Sequence, residues 1–222
     1  MQNAKKIFDI HQFVCILSAS YKNWKAPVIT FFSNKGATPF QILISTILSL
    51  RTKDEVTAAA ANRLFKIAQT PDVMVNLDEE KLKKIIFPVG FYATKAIRII
   101  EICRILIDQY DKTVPSQLDE LLKLPGVGRK TANLVLTEGF KKDAICVDTH
   151  VHRISNRIGY VQTKTPEKTE FALRKKLPRK YWIKYNEILV AFGQVLCRPI
   201  SPFCSTCPVG SMCPRKGVKK FR

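Results

Sequence analysis

The sequence predicts an all-α protein, and three observations carry that expectation. Apolar residues recur at helical spacing through most of the chain. A Thr-Pro start signal stands before a helical stripe at Thr38-Pro39, and recurs at Thr70-Pro71 and Thr165-Pro166. Sustained alternation of polar and apolar residues, the mark of a half-buried strand, is absent from the sequence.

Taken in order, Met1 to about Ser20 reads as a helix on the spacing of Ile7, Ile10, Val14 and Leu17. Val28 to Phe32 is a short apolar run with no partner strand, read as a loop or a turn of helix. Behind Thr38-Pro39, the residues Phe40, Leu43, Ile44, Ile47 and Leu48 form one stripe. Thr52 and Glu55 have capping-box spacing and are expected to open the next helix, with Val56, Ala60 and Leu64 inward. Val89-Gly90 precedes a long helix whose expected buried face is Ala96, Ile100, Cys103, Ile107 and Tyr110. Leu118, Leu121 and Leu122 lead to Leu124, where Pro125 stops the run and Gly126 and Gly128 bracket Val127. A second run, Thr131 to Thr137, follows, so two short helices are joined by a hairpin. Asp148-Thr149 marks the start of a helix through Arg157, and Tyr185, Ile188, Leu189, Phe192 and Leu196 stripe the last long one.

Length and charge bound the function. At 222 residues the chain is one large domain or two small ones. Lysine and arginine number 37 against 18 acidic residues, a formal charge of +19 that favours a polyanionic partner. No apolar run reaches bilayer-spanning length, and the N-terminus lacks the apolar core of a signal peptide. The expectation is a protein inside the cell, without a membrane, near nucleic acid.

The cysteines divide into two sets. Cys15, Cys103 and Cys146 are scattered in apolar surroundings and read as core residues. Cys197, Cys204, Cys207 and Cys213 give C-x6-C-x2-C-x5-C, with no histidine in the loop. Four thiolates on a short loop close around one tetrahedral zinc or one cubane iron–sulfur cluster. A single CxxC with widely spaced companions favours the larger object, with zinc and a metal-free loop as alternatives. Arg198 and the basic residues around it offer cations to phosphates from a pinned loop.

The hairpin carries the candidate chemistry. Gly126 and Gly128 expose backbone N–H groups where a helix begins, a ready anion site beside Arg129 and Lys130. Lys130 falls in the first helical turn, where the dipole disfavours an ammonium, and a neutral amine is a nucleophile towards a sugar carbon. Taken alone, a lysine there is more often a phosphate contact, and Asp148 is more often a helix N-cap.

Taken together, LPGVGRKTA at 124–132, VDTHVHR at 147–153 and the four-cysteine motif closely resemble the endonuclease III family of DNA glycosylases. The resemblance runs in order from roughly Ala4 to Cys213. It implies two helical domains with a DNA-binding cleft between them: a six-helix barrel-like domain at 32–142 carrying the hairpin, and an iron–sulfur domain of 1–31 plus 143–222. It implies a bifunctional base-excision repair enzyme that flips an oxidised pyrimidine from damaged duplex DNA. By the same resemblance Lys130 attacks the sugar C1′, Asp148 assists, and β-elimination nicks the strand 3′ of the abasic site. The four cysteines would hold a [4Fe–4S] cluster.

The chain departs from the bacterial pattern at Arg51, at Phe91 and at His152, which stands where an apolar residue is common. Arg51 stands where the family often has Gln in the gap left by the extruded base, which leaves the preferred opposite base open. Phe91 stands where a Leu wedge is common, and is read as an intercalating ring or as core packing. His150 matches the family's VDTH, with a phosphate contact and helix-start packing both open; His152 receives no role, and His11 reads as a surface residue. The expected species is a monomer, in the cytoplasm with the nucleoid if prokaryotic and in the nucleus if eukaryotic. A thymine or uracil mismatch glycosylase, and a non-catalytic DNA-binding module with a structural metal, are the competing readings.

Overall fold

The structure, a computed structural model, describes residues 8–222, and these form helices and connecting turns with no β-strand. The chain is all-α, as its periodicity predicts. Ile7 and the start of the predicted N-terminal helix lie outside the described residues. The chain divides into two compact units, Pro27–Cys146 and a second made from Met1–Ala26 with Val147–Arg222.

Helix α1 (Ile10–Tyr21) is capped by Asp9, whose carboxylate accepts from the Gln12 N–H at 3.0 Å. The middle unit then holds α2 (Val28–Asn34), α3 (Pro39–Ser49), α4 (Asp54–Phe65), α5 (Pro71–Met74), α6 (Glu79–Ile86) and α7 (Tyr92–Gln109). It closes with α8 (Leu118–Leu121), α9 (Arg129–Leu134) and a π-helical turn at Val135–Gly139. The chain returns through α10 (Thr149–Arg157), α11 (Pro166–Lys176), a 3-10 turn at Arg179–Tyr181 and α12 (Trp182–Val195).

In the middle unit, α3 is the element against which most others pack, touching α2, α4, α7, α9 and the π turn. Its residues from Phe40 to Leu48 are all buried except Gln41. A helix so apolar all round belongs in a core. Thr38 and Gln41 make a reciprocal capping box at its start. The π turn carries Glu138, whose carboxylate accepts from the Thr30 hydroxyl at 3.0 Å and whose carbonyl accepts from Ser33 at 2.7 Å. In the terminal unit, α1 and α10 each pack on α12, and α11 packs on α10. Phe13, Leu17, Val151, Ile154, Leu189 and Phe192 are buried there.

Four sequence expectations need correction. Val28–Phe32 belongs to a real helix, because Val28, Ile29 and Phe32 are buried in the same core as α3. Thr52 does not cap α4; Lys53 occupies the N-cap without a side-chain bond, and the Thr52 hydroxyl is engaged elsewhere. On α7 the buried face includes Ile99, Ile102 and Leu106, while Ile107 and Tyr110 are half-buried. Cys15 is exposed, since α1 buries Ile10, Phe13, Val14 and Leu17; Cys103 and Cys146 are buried as expected. Helix α6, which the sequence reading passed over, had its signals: Asp78 as cap, Glu79 and Glu80 in the first turn, and Leu82 with Ile86 buried.

Candidate active site and cysteine cavity

The hairpin is anchored from below by apolar side chains. Leu121, Leu124 and Val127 are buried, and the Val127 N–H donates to the Leu124 carbonyl at 3.1 Å. Gly126 has φ +75°, which a side chain would strain, and a Cβ there would also press on Arg98 at 3.0 Å. Gly128 differs: it caps α9 with ordinary extended backbone, and a Cβ there would meet nothing within 4 Å. Its missing side chain therefore leaves the start of the second hairpin helix open. Arg129 and Lys130 form the first turn of α9 and are half-buried. The Lys130 carbonyl accepts from the Cys146 thiol at 3.5 Å, while its side chain enters no hydrogen bond or ion pair among the described residues.

Asp148 belongs to the other unit, eighteen positions later. It is the N-cap of α10, as its place before Thr149 predicts: one carboxylate oxygen accepts from the Val151 N–H at 2.8 Å. His150, in the first turn, has its Nδ1 3.1 Å from the Arg153 guanidinium. That guanidinium donates to the Cys197 carbonyl at 2.9 Å, tying α10 to the end of α12. His152 Nδ1 lies 2.6 Å from the Thr169 hydroxyl, a packing contact between α10 and α11. His11 is exposed and meets the Tyr181 hydroxyl.

The four C-terminal cysteines line one pocket, together with Arg157, Phe192, Phe203 and Arg215. Among the described residues no group of three or more His, Cys, Asp or Glu side chains is set to hold a single metal ion. Burial pushes the thiols of Cys197 and Cys213 up, and that of Cys207 up to about 11. Opposing it at Cys197 is a buried guanidinium: Arg157 donates to the sulfur at 3.2 Å and to the Arg198 carbonyl at 2.9 Å. Sequence reasoning missed Arg157, because nothing local marks the arginine ending α10 as pointing at a sulfur forty residues later. Arg198 itself is exposed, with its guanidinium 5.1 Å from the Phe203 ring centroid.

Arg51 and Phe91 come together in the middle unit. Both are exposed, both have left-handed backbone (φ +53° and +58°), and the guanidinium lies 5.4 Å from the ring centroid. A non-glycine residue in that region costs on the order of 1 kcal/mol, so the surrounding structure must hold it. Phe91 is 61% exposed, which removes the core-packing reading. Lys95, which sequence reasoning did not single out, bonds beside the pair to Thr52, which it read only as a helix cap.

Comparison with known proteins identifies the family. Residues 44–179 match the HhH-GPD superfamily of base excision DNA repair proteins. Endonuclease III of Thermotoga maritima is 51% identical over 181 residues, 82% of this chain and 85% of that one. Among solved structures, a non-covalent endonuclease III–DNA complex superposes with a TM-score of 0.82 at 33% identity, covering 92% of this chain and 94% of that one. A trapped endonuclease III–DNA covalent intermediate superposes at 0.78 with 34% identity, covering 92% and 95%. The chain belongs to the endonuclease III family of base excision repair DNA glycosylases.

Proposed function

We propose that the chain is a bifunctional DNA glycosylase and abasic-site lyase acting on oxidised pyrimidines in duplex DNA, with Lys130 as nucleophile and Asp148 as its carboxylate partner. The observation that carries this reading is an amine with no partner among the described residues, at the open start of the second hairpin helix. A lysine serving only to neutralise a neighbouring carboxylate would be paired.

The reaction follows from the amine. Nζ of Lys130 attacks C1′ of the flipped nucleotide; the glycosidic bond breaks, and its electron pair leaves with the base, which takes up a proton. Opening of the sugar ring and loss of the amine proton give a Schiff base. Removal of a 2′ hydrogen then breaks the C3′–O bond, and the strand is nicked 3′ of the lesion with phosphate as leaving group. Asp148 has one oxygen committed to the Val151 N–H, which fixes the carboxylate. Its second oxygen is left to take the amine proton and to face the positive charge developing on the sugar.

The hairpin N–H groups at Gly126 and Gly128, with Arg129, hold the DNA backbone, helped by His150 and Arg198. The residues present fit a [4Fe–4S] cluster: the donor set is all sulfur, the four thiols share one cavity, and the Arg157 guanidinium favours thiolate at Cys197. Cys197, Cys204, Cys207 and Cys213 would hold it, and it would supply a cross-link for the C-terminal loop rather than any bond-breaking chemistry. The partner is damaged double-stranded DNA and the working species a monomer, sharing the compartment of the genome, bacterial cytoplasm or eukaryotic nucleus. No described helix is long and apolar enough to cross a membrane.

Borohydride reduction on a duplex carrying an oxidised pyrimidine tests the reading. A covalent adduct is expected with the natural chain and none with Lys130→Ala. Base release without any adduct would leave a monofunctional mismatch-type glycosylase instead. A broad visible absorption band that bleaches with loss of iron is expected from the cysteine loop; a colourless protein holding zinc overturns the cluster.

A further inference from the structure

Lys95 is a buried ammonium that no carboxylate accompanies among the described residues. It stands in the first turn of α7, 5% exposed, and Nζ donates to the Leu48 carbonyl at 2.9 Å, the Leu50 carbonyl at 2.6 Å and the Thr52 hydroxyl at 3.2 Å. All three ammonium donors are thereby used. Two of the acceptors are carbonyls at the negative end of α3, which helical bonding leaves unsatisfied. Burial pushes this lysine down to about 8, and its three bonds occupy acceptors that an apolar side chain of equal length would leave unpaired. Its presence calls for a role in placement.

Its acceptors flank Arg51. Thr52 adds a second tie, accepting from the Gly90 N–H at 3.1 Å. The two backbones run so close that a Cβ on Gly90 would lie 2.6 Å from the Arg51 carbonyl oxygen. Gly90 in turn precedes Phe91. One ammonium and one hydroxyl thus fasten the turn at 50–52 to the turn at 89–92, with Arg51 stacked on Phe91 above them. Positive φ alone does not single out this place, since Asp111, Lys112, Lys141, Ser201 and Arg215 share it. Here two such residues stack on each other and are tied beneath.

We propose that Lys95 and Thr52 are positioning residues that lock the Arg51 turn to the Phe91 turn, so that guanidinium and ring enter duplex DNA as one preassembled wedge. The proposal rests on the glycosylase reading above. Phe91 fills the stack vacated by the extruded nucleotide, and Arg51 meets the edge of the base left opposite. Ordering the pair before DNA arrives removes that entropy cost from the flipping step.

The test compares Thr52→Ala, Thr52→Ser and Lys95→Met in the full chain with its metal, on two substrates. One is a duplex with an oxidised pyrimidine; the other is a single strand with an abasic site, which has no stack to enter. Thr52→Ala and Lys95→Met are expected to slow base release from the duplex roughly tenfold or more, in kcat rather than KM. Borohydride trapping on the single strand is expected to stay within about twofold of the natural chain, and Thr52→Ser to restore the duplex rate. A 2-aminopurine opposite a stable abasic analogue reads wedge entry without chemistry, and a smaller fluorescence rise is expected with Thr52→Ala. Should Lys95→Met fail to fold, the Thr52 pair carries the comparison alone. Undiminished duplex release by folded Thr52→Ala overturns the proposal, as does an equal fall on both substrates. A natural chain that unstacks the 2-aminopurine yet traps on neither substrate would overturn the lyase reading and leave the wedge standing.

Discussion

Lys95 makes the stability of this protein depend on pH in a direction opposite to that of a salt-bridged lysine. Free lysine titrates near 10.5 and this one at about 8, so between those values the unfolded chain binds more protons than the folded one. Stability therefore rises as pH climbs from about 8 towards 10.5 and is insensitive to this group below 8. Urea unfolding between about pH 7 and about pH 10 is expected to show the natural chain gaining on Lys95→Met by an amount on the order of 2 kcal/mol. A constant difference across that range would contradict the buried ammonium. Nothing local betrays this residue in the sequence, because its acceptors lie 47, 45 and 43 positions earlier. Cys103 was legible, since it falls on the apolar stripe of a long helix, and burial raises its thiol to about 12. Cys15 was not, because a short apolar run does not reveal which neighbour faces outward.

At the level of elements, α10 offers a way to separate structure from chemistry at one side chain. Asp148→Ala removes the N-cap and is expected to cost about 1 kcal/mol in stability, whereas Asp148→Asn keeps the cap. Both are expected to lose base release, since neither offers a carboxylate; thermal melts alongside lesion cleavage check the pair. If Asn retains full activity, Asp148 is a cap and nothing more. At the start of α7, Gly90→Ala forces a methyl against the Arg51 carbonyl and is expected to destabilise by about 1 to 3 kcal/mol, read by urea midpoint. Helices with start signals and a wide apolar stripe, α3 above all, were legible because local and tertiary preferences agree there. The Thr52–Glu55 capping box failed because a better use for that hydroxyl existed across the fold. The hairpin's second helix was read as starting at Thr131, two residues late, and its widening into a π turn had no signature in the residues.

For the whole molecule, the formal charge of +19 sets how it meets any polyanion. Affinity for undamaged duplex is expected to fall by roughly a thousandfold between about 50 and about 200 mM salt, measured by fluorescence anisotropy. A flat response would remove the electrostatic account of binding. The excess of lysine and arginine, the hairpin and the cysteine spacing were all visible in the sequence, because each is carried by residue type and order alone. What no spacing revealed is how separate stretches cooperate, as Arg157 does with Cys197 and Lys95 with the end of α3. The division of the chain has a consequence for its birth. Helix α1 packs on α12, yet the ribosome releases them more than a hundred and fifty codons apart, while Pro27–Cys146 is contiguous. The contiguous portion closes early during synthesis, α1 waits with its greasy side uncovered, and the four-cysteine loop is completed only when Cys213 has left the exit tunnel.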